Sequence, residues 1–517
     1  MTPASSTVAG DPPDAIPLGP EGNVVLDPAI LGSGEFSWPT APSAQYHFRL
    51  ELLDGMGRML LVDRTAGTRA LFARKRINLL LATRLYFRHV VRQLEREPRP
   101  GLRVRPAGDN WRAAGDQLFV SRWDRTPGWK KRLVRNAQVG MLWLGDRLGV
   151  PRPLIQVQNL VPPPALAGRR RYRLRAPYGF LNQPGRLTVT DEAEIQAVID
   201  HFWSLLLERA AANGIAVEAG EREVALSLVG DLLRSACLDH DYLRRILDGR
   251  PLDLLAGSVG GYFTSLLAMA TFENGGQVYA ATHGAFHFGD RNPADLQEFI
   301  NTTHFYCPTR GLATRGAAAL EAHFGSLRPP CRVEFLAERK DPPMPPEPAL
   351  AGPVRAVMVM GGHYMPDIQV AGVVLPVMLD LELRLCDFLQ RHGYRVILKP
   401  HPESSWKGQA ALVAPGVQVE WRPFEQVWRQ ADAFIFPFLN TTPAYTAFAT
   451  NRPLIYLWYS AHDVWSSEVL EMIAARCELV KTTTDDRNRL VFNEDTLLEI
   501  LARPKPVDPG LWHDLYG

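Results

Sequence analysis

The chain reads as an α/β protein built on open parallel sheets, and three observations carry that reading. From residue 253 onward, short apolar runs of strand length alternate with stretches of helical periodicity. The alternation breaks at a proline-rich stretch, 327–353, and restarts cleanly after it. Two apolar runs after the restart stop at phosphate-friendly residues, the first at Lys399-Pro400-His401-Pro402 and the second at Asn440-Thr441-Thr442. Apolar strands that end in such residues are how open α/β sheets build ligand crevices at their carboxyl edge.

At 517 residues the chain exceeds one ordinary core, so two or three domains are expected. Lys+Arg at 57 nearly balances Asp+Glu at 55, which gives no whole-chain signal for a nucleic-acid partner. The five cysteines show no CxxC spacing and read as reduced thiols of a cytoplasmic protein. Residues 1–20 lack the basic start and apolar core of a signal peptide, and no apolar window reaches spanning length. The expected location is cytoplasmic, with peripheral contact at the inner face of the membrane as the one membrane association the sequence leaves open.

Taken in order, residues 1–43 read as a flexible lead-in, rich in Pro, Ser, Gly and Asp. A helical pattern follows within 44–97, decorated by Arg69, Arg74, Lys75, Arg76, Arg84, Arg88, Arg92 and Arg96. It reads either as a solvated helix face or as a basic amphipathic helix for an anionic surface. Residues 101–186 are rich in Arg and Pro and show little periodicity; 191–212 and 221–247 are helical. A strand is expected at 253–256, a glycine turn at 257–261, a helix at 262–272 and a buried strand at 277–282. A helix at 294–301 and a strand at 304–308 close this part, so 44–326 is the first domain region with its α/β portion near 253–326. Residues 354–517 form the second, with strands at 354–360, 394–398, 433–436 and 453–457 and helices at 374–392, 424–430 and 444–450. Two such domains joined by a linker imply a cleft, a common place for a ligand.

His401 follows a strand and Lys399, where an imidazole can donate to a phosphate oxygen; the plainer alternative is a histidine that caps a turn. Asn440, Thr441 and Thr442 precede a helix, where hydroxyls and free amides form an anion site, or simply an N-cap. His283, His287 and Asp290 sit in a glycine-flexible loop after the strand 277–282, and a histidine there suits general acid or base work. Ala256-Gly257-Ser258-Val259-Gly260 approaches the nucleophile elbow of serine hydrolases, with Ala256 in place of the first glycine. A plain glycine turn is the competing reading. Asp380-Leu381-Glu382 falls inside a helical pattern and reads as surface charge rather than a metal motif. No phosphate-binding P-loop, His-Glu-x-x-His or Gly-x-Gly-x-x-Gly is present, so no metal and no cofactor are expected.

Lys399-Pro400-His401-Pro402 with Asn440-Thr441-Thr442 resembles the His-Pro and Ser-Ser/Thr motif pair of GT-B-type bacterial transferases, among them capsule Kdo transferases, bacterial sialyltransferases and teichoic-acid glycerophosphotransferases. Glu273-Asn274-Gly275-Gly276 through His283-Gly284 and His287-Phe288-Gly289 is similar to a narrower set of surface-carbohydrate biosynthesis transferases. The resemblance covers roughly 253–480 and departs from the pattern at Ala285-Phe286 and at the missing serine of the turn. It implies a GT-B-like fold, two Rossmann-like domains facing a cleft, with an N-terminal extension. It implies a glycosyltransferase that moves a sugar from a nucleotide-activated donor, CMP-linked in the first instance, to a surface-glycan or glycolipid acceptor. In that reading His283 is the base, with His287 and Asp290 beside it. Gly361, Gly362, His363, Lys399, His401, Pro402, Asn440, Thr441 and Thr442 hold the donor. A CDP-alcohol phosphotransferase, a non-catalytic nucleotide- or glycan-binding scaffold, and a serine hydrolase using Ser258 are the alternatives.

Overall fold

The computed structural model describes residues 15–19, 22–62, 77–105, 154–157, 171–173, 186–248, 252–257, 261–281, 302–307, 309–324, 334–337, 352–362, 373–401, 411–439, 441–460 and 467–507, with a few isolated positions besides. They fall into two compact units. One draws on 1–47, 83–108 and 343–512, the other on 48–82, 109–342 and 513–517.

The start of the chain departs from the expected lead-in. Strands β1 (Ile16–Leu18) and β2 (Val24–Leu26) pair antiparallel, and β3 (Leu102–Val104) adds to β2. All of Ile16, Leu18 and β2 are buried, as are Phe36 and Trp38. The apolar residues in this Pro- and Gly-rich stretch are few, and its described strand and aromatic residues are the ones placed in a core. Asp380 holds the segment by accepting the Gly32 amide at 3.0 Å, and the Trp38 amide donates to the Arg487 carbonyl at 2.9 Å.

The arginine-bearing helix Thr83–Arg96 follows a single π-helical turn, Asn78–Ala82. One face of it is buried, while Arg88 and Arg92 are half-buried and Arg96 is exposed. Arg84 is 1% exposed, and Tyr86, Phe87, His89, Val90 and Leu94 are buried with it. Residues 69–76 lie outside the described residues. Among the described residues no helix is long and apolar enough to cross a membrane.

The second unit is a six-stranded, wholly parallel sheet of β4 (Leu154–Val157), β5 (Arg171–Arg173), β6 (Asp253–Ala256), β7 (Val278–Ala281), β8 (His304–Cys307) and β9 (Glu334–Ala337). Its order is β5-β4-β6-β7-β8-β9. β9 lies inside the stretch read as linker: a four-residue strand at the sheet edge is too short to announce itself between prolines. The helix Val189–Ala212 starts with a capping box, Thr188 and Asp191 each accepting the other's amide. The helix Tyr262–Glu273 runs from the glycine turn after β6 back to Asn274.

The C-terminal sheet comprises β10 (Ala356–Met360), β11 (Arg395–Lys399), β12 (Gln418–Val419), β13 (Ala433–Phe436), β14 (Leu454–Tyr459), β15 (Glu478–Thr484) and β16 (Leu490–Phe492), in the order β12-β11-β10-β13-β14-β15-β16. β16 alone runs antiparallel. The first six strands reproduce the 3-2-1-4-5-6 arrangement of Rossmann folds. β10 and β13 are buried along their whole length, as expected where helices cover both faces of a parallel sheet. The helix Leu375–Arg391 connects β10 to β11, with Pro376 in its first turn and Arg391 in its last. The fold is thus α/β and Rossmann-like in both sheets.

Candidate functional site

The order of the C-terminal sheet puts a topological switch point between β10 and β13. The chain steps from β10 to β11 and β12 on one side, then returns to lay β13 and β14 on the other. In open α/β sheets the helices on the two sides of such a point diverge, and ligands bind in the crevice outside the carboxyl ends of the flanking strands. Met360 pairs with Lys399 and Val359 with Ile435, so the ends of β10, β11 and β13 lie abreast. Gly361 follows β10 directly, Lys399 closes β11 with Pro400 and His401 after it, and Thr441 comes five residues after β13 ends at Phe436. The structure therefore sets residues of two expected donor-binding segments side by side, at the ends of β10 and β11, and starts the third from the neighbouring strand β13.

At β10 the two glycine amides are already engaged. Gly361 N–H donates to the Lys399 carbonyl at 2.9 Å, and Gly362 N–H donates to a Glu382 carboxylate oxygen at 2.7 Å. Gly361 is closely approached: a Cβ would stand 3.3 Å from Pro400 Cα and 3.4 Å from Glu382 Oε2. At β11 the Lys399 side chain is 2% exposed and its Nζ donates to the Pro400 carbonyl at 3.0 Å. Its charge thus lies within the turn, and His401, two residues on, is half-buried.

At β13 the helix Thr442–Phe448 begins with Thr441 at its N-cap, and the Thr441 side chain makes no capping hydrogen bond. Simple N-capping by that hydroxyl is not its use here. The helix is only seven residues long, so its dipole adds little by itself. Its other end is held by Arg476, 2% exposed, whose guanidinium donates to the carbonyls of Ala447, Phe448, Thr450 and Arg452 at 2.9–3.2 Å.

His283, His287, Asp290, His363, Pro402 and Asn440 lie outside the described residues, as does the Thr442 side chain. The strand that leads to His283 ends at Ala281, and the Glu273-Asn274-Gly275-Gly276 motif turns out of the helix Tyr262–Glu273 toward it. Gly276 is a packing requirement, since a Cβ would fall 1.9 Å from the Leu252 carbonyl oxygen. Gly257 follows β6 beside the second sheet's own switch point, between β4 and β6; Ser258 lies outside the described residues. Among the described residues no group of three or more His, Cys, Asp or Glu could hold a metal ion.

Asp380 and Glu382 correct the sequence reading. Both are fully buried, not surface charge. Asp380 bonds to Gly32 and to Arg384 Nε at 2.8 Å, and Glu382 to Gly362. The signal was available: the helix Leu375–Arg391 is apolar almost all round as far as Cys386, and a helix of that kind is buried on every side. Acids inside it need partners.

No protein-family model matches the chain. No curated protein matches it in sequence. Among solved structures, the S. aureus MnaA–UDP co-structure is similar with a TM-score of 0.35 and 10% sequence identity, over 71% of this chain and 90% of that chain.

Proposed function

We propose that the protein is a metal-independent glycosyltransferase of GT-B type that binds a nucleotide-activated sugar, CMP-linked in the first instance, at the β10–β13 switch point. It would transfer the sugar to a hydroxyl of a surface glycan or glycolipid. The observation that supports this reading is the pairing of the ends of β10, β11 and β13, with Gly361 and Lys399 to His401 at two of them and the segment that leads to Thr441 leaving the third. In the proposed reaction the bond from the sugar's anomeric carbon to the donor phosphate breaks as the acceptor oxygen bonds to that carbon. The acceptor proton passes to His283, and the departing phosphate keeps the electron pair. His401 and the Thr441 and Thr442 hydroxyls donate to that phosphate, and the Lys399 charge lowers its energy from below. His287 and Asp290 are proposed to orient His283, and Asn440, His363 and Pro402 to complete the donor contacts.

The test is thermal denaturation of the full chain with CMP, CDP, UMP, UDP and GDP, without added metal. A nucleotide at about a hundred times its dissociation constant adds roughly 2.7 kcal/mol to the folded state. A shift with CMP or CDP that His401→Ala abolishes is the expected result. No shift with any nucleotide would count against the reading. If nucleotide binds, loss of sugar transfer in His283→Ala with binding retained assigns the base, whereas binding with no turnover in the wild type indicates a scaffold.

A further inference from the structure

We infer that Glu382 is a positioning residue for the nucleotide site, setting the Gly361-Gly362 turn and steering the donor phosphate toward the β11 and β13 ends. The steering rests on the nucleotide reading above; the setting of the turn does not. Glu382 sits on the helix that follows β10 and is fully buried. Desolvating a carboxylate costs several kcal/mol, so an acid in this place demands a specific partner. One partner is the Gly362 amide at 2.7 Å, within the short range of charge-assisted bonds. The other carboxylate oxygen lies at contact distance from Gly361, 3.4 Å from where its Cβ would stand.

Two consequences follow for the crevice. With the Gly361 amide given to Lys399 and the Gly362 amide given to Glu382, this turn is a fixed wall and not a cradle of free amides. The Lys399 ammonium on the neighbouring strand end attracts an anion. The donor phosphate therefore belongs over Lys399 to His401 and Thr441, and the β10 end is left to an uncharged part of the ligand.

The experiment compares wild type, Glu382→Met and Glu382→Gln in the full chain by amide hydrogen exchange and by CMP, CDP and UDP affinity. Met keeps the length and removes the acceptor; Gln keeps a carbonyl that can still receive the Gly362 amide. Exchange across 356–362 is expected to speed up by about tenfold or more in Glu382→Met and to stay within about threefold of wild type in Glu382→Gln. Peptides covering β14 should not change in either. Affinity for whichever nucleotide binds should fall about tenfold in the Met variant and be rescued by Gln. Unchanged exchange at the turn in a folded Met variant overturns the inference whether or not any nucleotide binds. If the Met variant does not fold, a folded Gln variant decides: exchange at the turn near wild type supports the inference, and faster exchange there, or a tenfold loss of nucleotide affinity, overturns it. Failure of the wild type to bind any nucleotide sinks the functional proposal and the steering with it, and leaves the exchange result to decide the role of Glu382 in the turn.

Discussion

The indole nitrogen of Trp38 donates to the Tyr86 hydroxyl at 2.8 Å, and Thr40 shares the same hydroxyl at 2.8 Å. Both rings are fully buried. This bond fixes residues near the start of the chain to the helix Thr83–Arg96, and Tyr86→Phe leaves the indole N–H with no acceptor there. An unsatisfied buried donor costs about 1–3 kcal/mol, which urea denaturation should detect.

The same tyrosine predicts an alkaline limb. Burial raises the Tyr86 hydroxyl from 10.0 to about 12. Its contribution to stability is complete below pH 10, where the unfolded chain is also neutral, and is lost as pH rises from 10 toward 12. Tyr86→Phe should fall less steeply with pH in that window than wild type.

Glu420 predicts the opposite limb. The Arg422 side-chain hydrogen bond holds its carboxyl down from 4.5 to about 2, against the opposing effect of burial. Stability from this pair is present above pH 4.5 and fades as pH falls toward 2. Arg422 is largely exposed, so solvent screening keeps the contribution small. Glu420→Gln should flatten acid unfolding in that window and lower neutral stability by the same small amount.

Arg476→Met should be costly although it swaps a charge for an apolar chain of similar length. It strips the cap from the carbonyls of Ala447, Phe448, Thr450 and Arg452 inside the core. A loss above about 2 kcal/mol is expected. If the proposed function holds, the nucleotide-induced thermal shift should shrink as well, because Thr441 heads the same short helix.

Gly276→Ala should prevent the second unit from folding, since the new Cβ meets backbone, not a side chain that can move aside. Loss of the cooperative transition for that unit, with limited proteolysis sparing 354–507, is the expected outcome.

The parts of the fold that could be read from sequence are those where one physical signal dominates. β6 and β13 fall at the expected residues because each holds a short apolar run with clear ends, Leu254 to Ala256 between Asp253 and Gly257, and Ala433 to Phe436 between Asp432 and Pro437. The helix Leu375–Arg391 announces itself by its apolar length. β15 did not, because Lys481 and three threonines dilute its alternation. β4, four residues among prolines, carries too little pattern to stand out. At the site, Lys399 to His401 and Thr441 were legible as strand-end residues. Their adjacency was not, since strand order is set by crossovers that no local run encodes. Glu382 was misread because charge was weighed above the apolar surroundings that bury it.

The first unit is closed by partners from opposite ends of the chain, and that has a consequence for its synthesis. The Trp38 carbonyl receives the Asn488 side chain from 450 positions downstream. At about 5–20 residues per second, a ribosome needs roughly 20–90 s to bridge that gap. During that interval Phe36, Trp38 and β2 emerge with half of their core still unmade. The nascent chain must therefore carry an exposed aromatic segment through most of its translation, and chaperone occupancy should concentrate on its first fifty residues.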